Sequence, residues 1–154
     1  MSNALKTVCF VCYGNICRSP MAVAIMSDII QKDPILSQRN IEICSAGTGA
    51  IGGQAAHPYA QETMKEWGLT LDNHVSSPLS RDIVDKADLI VALDDNVKEE
   101  IIGSYSVSFQ KICTLNVADP YRYLLEAYRR CAQDIRDNCI SKVLPLVSLL
   151  HQPD

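Results

Sequence analysis

One short segment of this chain holds a cysteine, an arginine and a serine at positions from which they could attack a bound anion. Cys12 is followed, after five residues, by Arg18 and Ser19. An apolar segment that predicts a strand precedes Cys12. Ser19 and Pro20 then predict the N-cap and first residue of a helix. A loop that enters a helix N-terminus directs several backbone N–H groups and the positive end of the helix dipole at one point, which favours binding of an oxyanion.

The side chains of this segment add nucleophilic chemistry to the anion site. The planar guanidinium of Arg18 can hold two oxygens of a phosphate at once. A thiol at the bottom of such a loop, beside a cation, loses its proton readily, so Cys12 is a candidate nucleophile. The Ser19 hydroxyl can donate a hydrogen bond to that thiolate. A buried structural cysteine is the plainer alternative for Cys12, and the spacing of Arg18 and Ser19 argues against it.

A candidate acid lies about a hundred residues later in the chain. A thiolate that attacks a phosphoester needs an acid to protonate the leaving oxygen, and Asp119 follows a predicted strand in a loop that Pro120 restricts. The same carboxylate could then act as base on the water that attacks the phospho-cysteine. An Asp-Pro pair is by itself more often an ordinary turn. The predicted sheet edge that Asp119 shares with Cys12 is what favours the catalytic interpretation.

The seven cysteines predict a reducing environment. An odd number argues against the disulfide framework of a secreted protein, so we expect a cytoplasmic protein. Cys9 and Cys12 have the Cys-x-x-Cys spacing of redox pairs. However, Cys9 lies within the predicted strand, on the face opposite to Cys12, and we expect it in the core. A zinc site at these thiols is disfavoured for the same reason, and no histidine follows at ligand spacing.

Composition and charge narrow the remaining functional classes. Hydrophobic residues make up 47% and charged residues 21% of 154 residues, which predicts one globular domain over residues 1–154. No apolar run approaches the roughly 20 residues that span a bilayer, and the N-terminus does not resemble a secretory signal. The net charge is −4 and the basic residues are scattered. We therefore expect neither membrane insertion nor a nucleic-acid partner.

Strands and helices are predicted to alternate along the chain. The predicted strands are Thr7–Val11, Ile41–Cys44, Leu89–Leu93 and Lys111–Leu115. The first three predicted helices run from Ser19 to about Ile30, from about Pro58 to Trp67, and near Arg81 to Lys86. Asp94-Asp95 can cap the next helix, which extends to about Ile102. The last helix follows an apolar stripe from Leu124 to Leu150 that Pro145 interrupts. This alternation predicts an α/β fold of three layers, with a four-stranded parallel sheet between helices on both faces. Ligands of such sheets bind at the carboxyl ends of the strands, and four polar residues directly follow predicted strands. These residues are Cys12, Ser45, Asp94 and Asn116.

The motifs as a set resemble the low-molecular-weight protein tyrosine phosphatases over nearly the whole chain. Val11–Ala22 resembles the phosphate-binding loop of that family, Ser45–Thr48 its second motif, and Asp119–Tyr121 its acid loop. The nucleophile precedes the acid, whereas classical and dual-specificity phosphatases have the reverse order. The resemblance implies a flavodoxin-like, phosphotyrosine phosphatase I-like fold. It also implies hydrolysis of phosphotyrosine and small aryl phosphates through a phospho-cysteine.

The resemblance also implies a role for individual residues. Cys12 would be the nucleophile, Arg18 a phosphate ligand, and Asp119 the acid and then the base. The other phosphate-binding residues would be Tyr13, Gly14, Asn15, Ile16 and Cys17. The residues that hold the loop in shape would be Asn15, Ser19, Ser45 and His74. Cys17 would also be the redox partner that traps oxidised Cys12 as a disulfide. No metal or organic cofactor is implied, and the expected partners are a tyrosine-phosphorylated protein, phosphate and other oxyanions.

The rim of the implied cleft departs from the family pattern. Tyr121 would be its aromatic wall. Tyr13 replaces a small or aliphatic residue, Ile51 replaces a large aromatic residue of many members, and Arg122 replaces Tyr or Gly. These three departures bear on the choice of substrate and remove no catalytic group. The natural substrate, the source of the protein and its oligomeric state stay open.

Several related activities are alternatives. A phosphoarginine phosphatase of the same fold typically has Thr at the position of Ile16, so Ile16 favours phosphotyrosine. An arsenate reductase of this fold needs two further cysteines, and none lies between Cys44 and Cys113. A rhodanese-like sulfurtransferase would not need Asp119. A non-catalytic phosphate-binding module would lack the nucleophile or the acid, and both are present.

Overall fold

A parallel four-stranded sheet forms the centre of the protein. The computed structural model describes residues 3–151, and within them the strand order is β2-β1-β3-β4. The strands are β1 (Lys6–Cys12), β2 (Ile41–Gly47), β3 (Leu89–Ala92) and β4 (Ile112–Thr114). Val8, Phe10 and Cys12 of β1 face one side of the sheet, and Cys9 and Val11 face the other. Cys9 is fully buried, which confirms its predicted place in the core.

Helices cover both faces of the sheet, so the predicted α/β architecture is confirmed. One face carries α1 (Arg18–Lys32), α2 (Pro58–Glu66), α5 (Leu125–Asn138) and α6 (Leu144–Leu149). The other face carries α3 (Arg81–Lys86) and α4 (Asp95–Ser104). Tyr128 of α5 is the largest fully buried side chain and packs below the loop that follows β1. Across residues 3–151, no helix combines the length and the apolar character that crossing a membrane requires.

Three local predictions differ from the structure. Ser19 is not the N-cap of α1, because the helix begins at Arg18 with Cys17 at its cap, and the Ser19 hydroxyl is held by other side chains. Strand β2 continues to Gly47 instead of ending at Cys44, since its last residues pair with the end of β1. The C-terminal stripe breaks into α5, a π-helical turn at Cys139–Val143, and α6. Pro145 lies in the first turn of α6, where a missing N–H costs nothing.

Candidate active site

The predicted catalytic, phosphate-binding and rim residues, apart from Asn15, line one cleft at the carboxyl end of the sheet. Outside that lining lie the four residues predicted to hold the loop, which are Asn15, Ser19, Ser45 and His74. Strand β1 ends at Cys12, and residues 13–17 form a loop that leads directly into α1. The cleft has a volume of about 500 Å³. Its lining comprises Cys12, Tyr13, Gly14, Ile16, Cys17, Arg18, Gly49, Ile51, Gln54, Asp119, Tyr121 and Arg122. Cys12, Arg18 and Asp119, the three residues expected to do the chemistry, therefore line the same cavity, although Asp119 is far from the other two in sequence.

Two hydrogen-bonding groups lie against the Cys12 thiol at the floor of the cleft. The Asn15 N–H donates to Cys12 Sγ over 3.2 Å. The Ser19 hydroxyl oxygen lies 2.9 Å from the same sulfur. When the sulfur is a thiolate, the hydroxyl is the donor, so both groups stabilise its negative charge. Ser19 thus acts on the thiol from the first turn of α1.

Asn15 joins this loop to two other segments of the chain. It is fully buried and has a left-handed backbone with a φ of 58°. Its side-chain Nδ2 donates to Ser19 Oγ over 2.7 Å and to Ser45 Oγ over 3.0 Å. Its Oδ1 accepts a hydrogen bond from the N–H of Ser77 over 2.8 Å. Because Asn is one of the few residues that tolerates a left-handed backbone, it can hold both the turn and these three contacts.

His74 holds the backbone of Asn15 from outside the loop. Its Nε2 donates to the Asn15 carbonyl oxygen over 2.7 Å. Burial lowers the pKa of His74, and the hydrogen bond to Asn15 opposes that shift without cancelling it. The imidazole is therefore neutral near pH 7, and the carbonyl acceptor fixes its proton on Nε2.

Carbonyl groups throughout the loop are held in the same way. The carbonyl oxygens of Cys12, Tyr13 and Ile16 accept hydrogen bonds of 2.8–3.0 Å from residues that follow β2. The donors are the backbone N–H groups of Thr48, Gly49 and His57. In a trans peptide the C=O and the N–H point in opposite directions. Each bound carbonyl oxygen points at its hydrogen-bond donor, so the N–H of the following residue points away from that donor.

The N–H groups turned away in this manner form the anion site. They belong to Tyr13, Gly14, Ile16 and Cys17, all of which line the cleft. Within the described range 3–151, none of these four N–H groups donates to a protein acceptor. Converging, unpaired N–H groups at the start of a helix are a binding site for an oxyanion.

Arg18 adds a fixed positive charge to this site. Its side chain is 3% exposed. Its Nη1 donates to Asp94 Oδ2 over 2.6 Å and to the Val117 carbonyl oxygen over 3.0 Å. Burial lowers the pKa of Arg18, but the hydrogen bond with Asp94 and the nearby negative groups outweigh burial and raise it overall. The guanidinium stays charged, and its Nε–H makes no hydrogen bond to residues 3–151.

Asp94 has a second role that the sequence did not reveal. As predicted, it caps α4, since its Oδ1 accepts from the Val97 N–H over 2.8 Å. Its Oδ2 orients Arg18 at the same time. Burial raises the pKa of Asp94, but the hydrogen bonds from Arg18 and from the Val97 N–H, together with the charge of Arg18, outweigh burial, and the pKa lies below its ordinary value. The position of Asp94 after a predicted strand was the available signal for this role. Ser77 and His57, which also hold the loop, gave no such signal.

The acid loop brings Asp119 to the side of Arg18. Asp119 Oδ2 lies 3.7 Å from Arg18 Nη2, and its Oδ1 accepts from the Tyr121 N–H over 3.1 Å. The Asp119 side chain is 48% exposed, so it reaches both the cleft and solvent. A carboxyl group in this position can deliver a proton to a leaving oxygen and then take one from water.

Cys17 lies beneath the loop and contacts the core. Its Sγ is 3.4 Å from the Tyr128 hydroxyl. Burial raises the pKa of Cys17 to about 11, while the Tyr128 hydrogen bond lowers it. His57 stacks on the other side of Tyr128, with ring centroids 5.0 Å apart. This thiol is therefore protonated near pH 7 and is held away from solvent.

Apolar side chains surround the mouth of the cleft. Tyr13 is 64% exposed and its ring lies over Gly49, where a Cβ atom would overlap it. Ile51 and Tyr121 are also exposed and face the cleft. No group of three or more His, Cys, Asp or Glu side chains among residues 3–151 is arranged to hold a metal ion.

Comparison with known proteins identifies the family. Residues 7–147 match the family model described as low molecular weight phosphotyrosine protein phosphatase. A probable low molecular weight protein-tyrosine-phosphatase, EpsP of Ralstonia nicotianae, is 34% identical to this chain, and the match covers 86% of this chain and 90% of the length of EpsP. A protein-arginine-phosphatase of Bacillus subtilis is 32% identical over 84% of this chain and 89% of its own. A YwlE mutant from Bacillus subtilis has a crystal structure that superposes with a TM-score of 0.81 at 30% identity, covering 91% of this chain and 99% of that one. This chain therefore belongs to the family of low molecular weight phosphotyrosine protein phosphatases.

Proposed function

We propose that this protein hydrolyses phosphotyrosine in other proteins through a phospho-cysteine intermediate on Cys12. The observation that carries this proposal is the set of four loop N–H groups that lack a protein acceptor and converge, with Arg18, beside the Cys12 sulfur. A phosphoryl group can occupy that position with its oxygens on these donors and its phosphorus facing the sulfur. Membership of the family supports the same reaction.

The first step transfers the phosphoryl group to sulfur. The Cys12 thiolate attacks phosphorus, an S–P bond forms, and the bond from phosphorus to the phenolic oxygen breaks. Asp119 gives its proton to that oxygen, so the product leaves as a neutral phenol. Arg18 and the loop N–H groups stabilise the negative charge that spreads over the phosphoryl oxygens.

The second step returns the enzyme to its starting state. Asp119, now a carboxylate, takes a proton from water while the water oxygen attacks phosphorus. The S–P bond breaks, and inorganic phosphate leaves with Cys12 as a thiolate. The Asn15 N–H and the Ser19 hydroxyl, both in contact with that sulfur, stabilise it as a leaving group.

The walls of the cleft suit an aromatic phosphoester. Ile16 presents an apolar side chain beside the anion site, and Tyr121 and Ile51 line the mouth. An aryl ring loses nothing by contact with these groups. A guanidinium would leave N–H groups without an acceptor at Ile16, which costs binding free energy. Phosphoarginine is the second candidate substrate because a relative of 32% identity is named a protein-arginine-phosphatase.

We also propose that the protein works in the cytoplasm. All seven cysteines are free thiols in the structure, including five that are buried. A reducing compartment keeps the Cys12 thiolate in its active form.

Hydrolysis of para-nitrophenyl phosphate at mildly acid pH, with a reductant and a chelator present, tests the reaction. We expect turnover in the wild type, and in Cys12→Ser we expect loss of turnover with retained binding of phosphate or vanadate. An unimpaired Cys12→Ser variant would contradict the thiol mechanism.

Asp119→Ala should slow the hydrolysis of aryl phosphates with poor leaving groups most. An equal loss for good and poor leaving groups would show that Asp119 is not the acid.

A single substitution separates the two substrate classes. We expect the wild type to hydrolyse phosphotyrosine peptides faster than phosphoarginine peptides. Ile16→Thr introduces a hydroxyl that can accept from a guanidinium, so it should shift the ratio of the two kcat/KM values toward phosphoarginine by about 10-fold or more. A wild type that prefers phosphoarginine would replace the proposed substrate with the second candidate.

A further inference from the structure

We propose that Arg122 selects phosphotyrosine substrates that carry an acidic residue close to the phosphotyrosine. This inference rests on the proposed function, and it assigns a substrate class to the same cleft. It is carried by the backbone of Arg122, by its place at the mouth of the cleft, and by the lack of a carboxylate partner for its charge among residues 3–151.

The backbone of Arg122 has a conformation that an arginine rarely adopts. The chain turns at Pro120–Tyr123, where the Tyr123 N–H donates to the Pro120 carbonyl oxygen over 3.0 Å. Arg122 is the third residue of this turn and has a φ of 75°. Glycine is the residue that such a turn favours. Strained non-glycine residues concentrate at binding and catalytic sites, where a gain in function offsets the strain.

The guanidinium of Arg122 lies at the mouth of the cleft. Arg122 lines the same cavity as Cys12, and its Cζ atom is 6.0 Å from the centre of the Tyr121 ring. The contact with the ring keeps the long side chain over the cleft wall. A phosphotyrosine with its phosphate at Cys12 would leave the peptide backbone and the flanking side chains near this mouth.

Arg122 is the charged residue of the cleft lining that has no role in the proposed hydrolysis. The other charged residues of the lining are Arg18 and Asp119, which face one another across 3.7 Å. Arg18 is also bound to Asp94. No carboxylate within residues 3–151 forms an ion pair with Arg122. An Asp or Glu side chain of the substrate can supply that missing partner through a two-pronged hydrogen bond.

Three phosphotyrosine peptides that differ only in the flanking residues test this inference. They carry Asp, Asn or Lys at the two positions on each side of the phosphotyrosine, and kcat/KM is measured for each at low and at high salt. We expect the wild type to prefer the Asp peptide over the Lys peptide by about three- to tenfold at low salt. The preference should shrink at 1 M salt, because an exposed ion pair is screened.

Charge variants of the same residue provide the decisive comparison. The Asp-to-Lys ratio of kcat/KM is taken within each variant, so a general loss of activity cancels. Arg122→Lys should keep a preference for Asp, and Arg122→Glu should invert it. Arg130→Glu is the matched control, because Arg130 is an exposed arginine of α5 outside the cleft lining and the change in charge is the same, and its ratio should equal that of the wild type.

Each outcome has one meaning. Equal kcat/KM of the wild type for the three peptides overturns the inference and leaves the proposed function standing. An unchanged ratio in Arg122→Glu, or an equal change in Arg130→Glu, overturns it as well. If the wild type turns over none of the three peptides but releases phosphate from phosphoarginine peptides, the proposed function itself has failed.

Discussion

The ion pair between Asp94 and Arg18 gives the most direct test of how the anion site is held. Asp94→Asn keeps the size and shape of the side chain. The amide oxygen can still accept from the Val97 N–H and cap α4, but an NH₂ group then faces Arg18 Nη1. The substitution therefore removes the orienting contact to Arg18 and leaves the helix start in place.

The expected loss follows from the geometry of the pair. The contact is a charge-assisted hydrogen bond of 2.6 Å to a guanidinium that is 3% exposed. Removal of one partner from a fully buried ion pair costs about 3–5 kcal/mol. Asp94 is 30% exposed, so water can replace part of the interaction, and about 2 kcal/mol is the expected cost. At about 1.4 kcal/mol for each factor of ten, this predicts a roughly 30-fold loss.

The loss should be seen in kcat/KM for para-nitrophenyl phosphate and, to a similar extent, in the affinity for inorganic phosphate as an inhibitor. Both readouts depend on the orientation of Arg18. Asp95→Asn is the matched control, since Asp95 is the exposed next residue and the change in charge is the same. The reasoning is refuted if Asp94→Asn retains kcat/KM within threefold of the wild type, or if Asp95→Asn loses as much.

Three further predictions concern stability, each measured by urea unfolding. Gly47→Ala should lower the free energy of unfolding by about 2–3 kcal/mol, because the new Cβ would lie 2.5 Å from the Tyr13 backbone oxygen. Gly49→Ala should lower it by under about 1 kcal/mol, since only the exposed Tyr13 ring must move. Equal losses in the two variants would contradict this reasoning. Below about pH 6.5 the unfolded chain binds a proton at His74 that the folded chain does not, because burial lowers the folded-state pKa; stability should thus be full above pH 6.5 and fall as the pH drops toward the folded-state pKa. That fall should be smaller in His74→Asn, and an identical fall would show that His74 does not contribute. Arg122→Gly should raise stability by about 0.5–1 kcal/mol while it abolishes any preference for acidic peptides, and a loss of stability would contradict the strain at φ 75°.

Local patterns were sufficient to predict the order of the elements. The apolar β-branched run predicts β1, and the 3–4 spacing of apolar residues predicts the helix that begins α5. Both elements form, although the spacing did not show that α5 ends at Asn138. The end of β2 could not be predicted in this way. Ser45, Ala46 and Gly47 have low strand propensity, and they are extended because they pair with the end of β1. Tertiary contact decided the state of these residues.

The same distinction holds within the site. Cys12, Arg18 and Ser19 are close in sequence, so their spacing was enough to suggest an anion site, and Asp119 was reached through the shared sheet edge. The groups that hold the loop are different. Ser77 acts through a backbone N–H, which any residue could supply, so its identity carries no signal. Ser19 has a strong local preference for an N-cap, but the nearby thiol and amide take its hydroxyl instead.

The long sequence separations within the site have a consequence for how the protein is made. Asn15 reaches Ser77 across 62 positions, and Arg18 reaches Asp94 and Val117 across 76 and 99 positions. A nascent chain that ends before Val117 therefore lacks one of the groups that hold Arg18, and the oxyanion site can form only after that residue has been synthesised. Contacts of this range also favour slow folding. An oxyanion that binds only the finished site stabilises the whole fold, by about 2.7 kcal/mol at a concentration 100 times its Kd, so phosphate should lower the population of partly open forms without speeding the formation of the site.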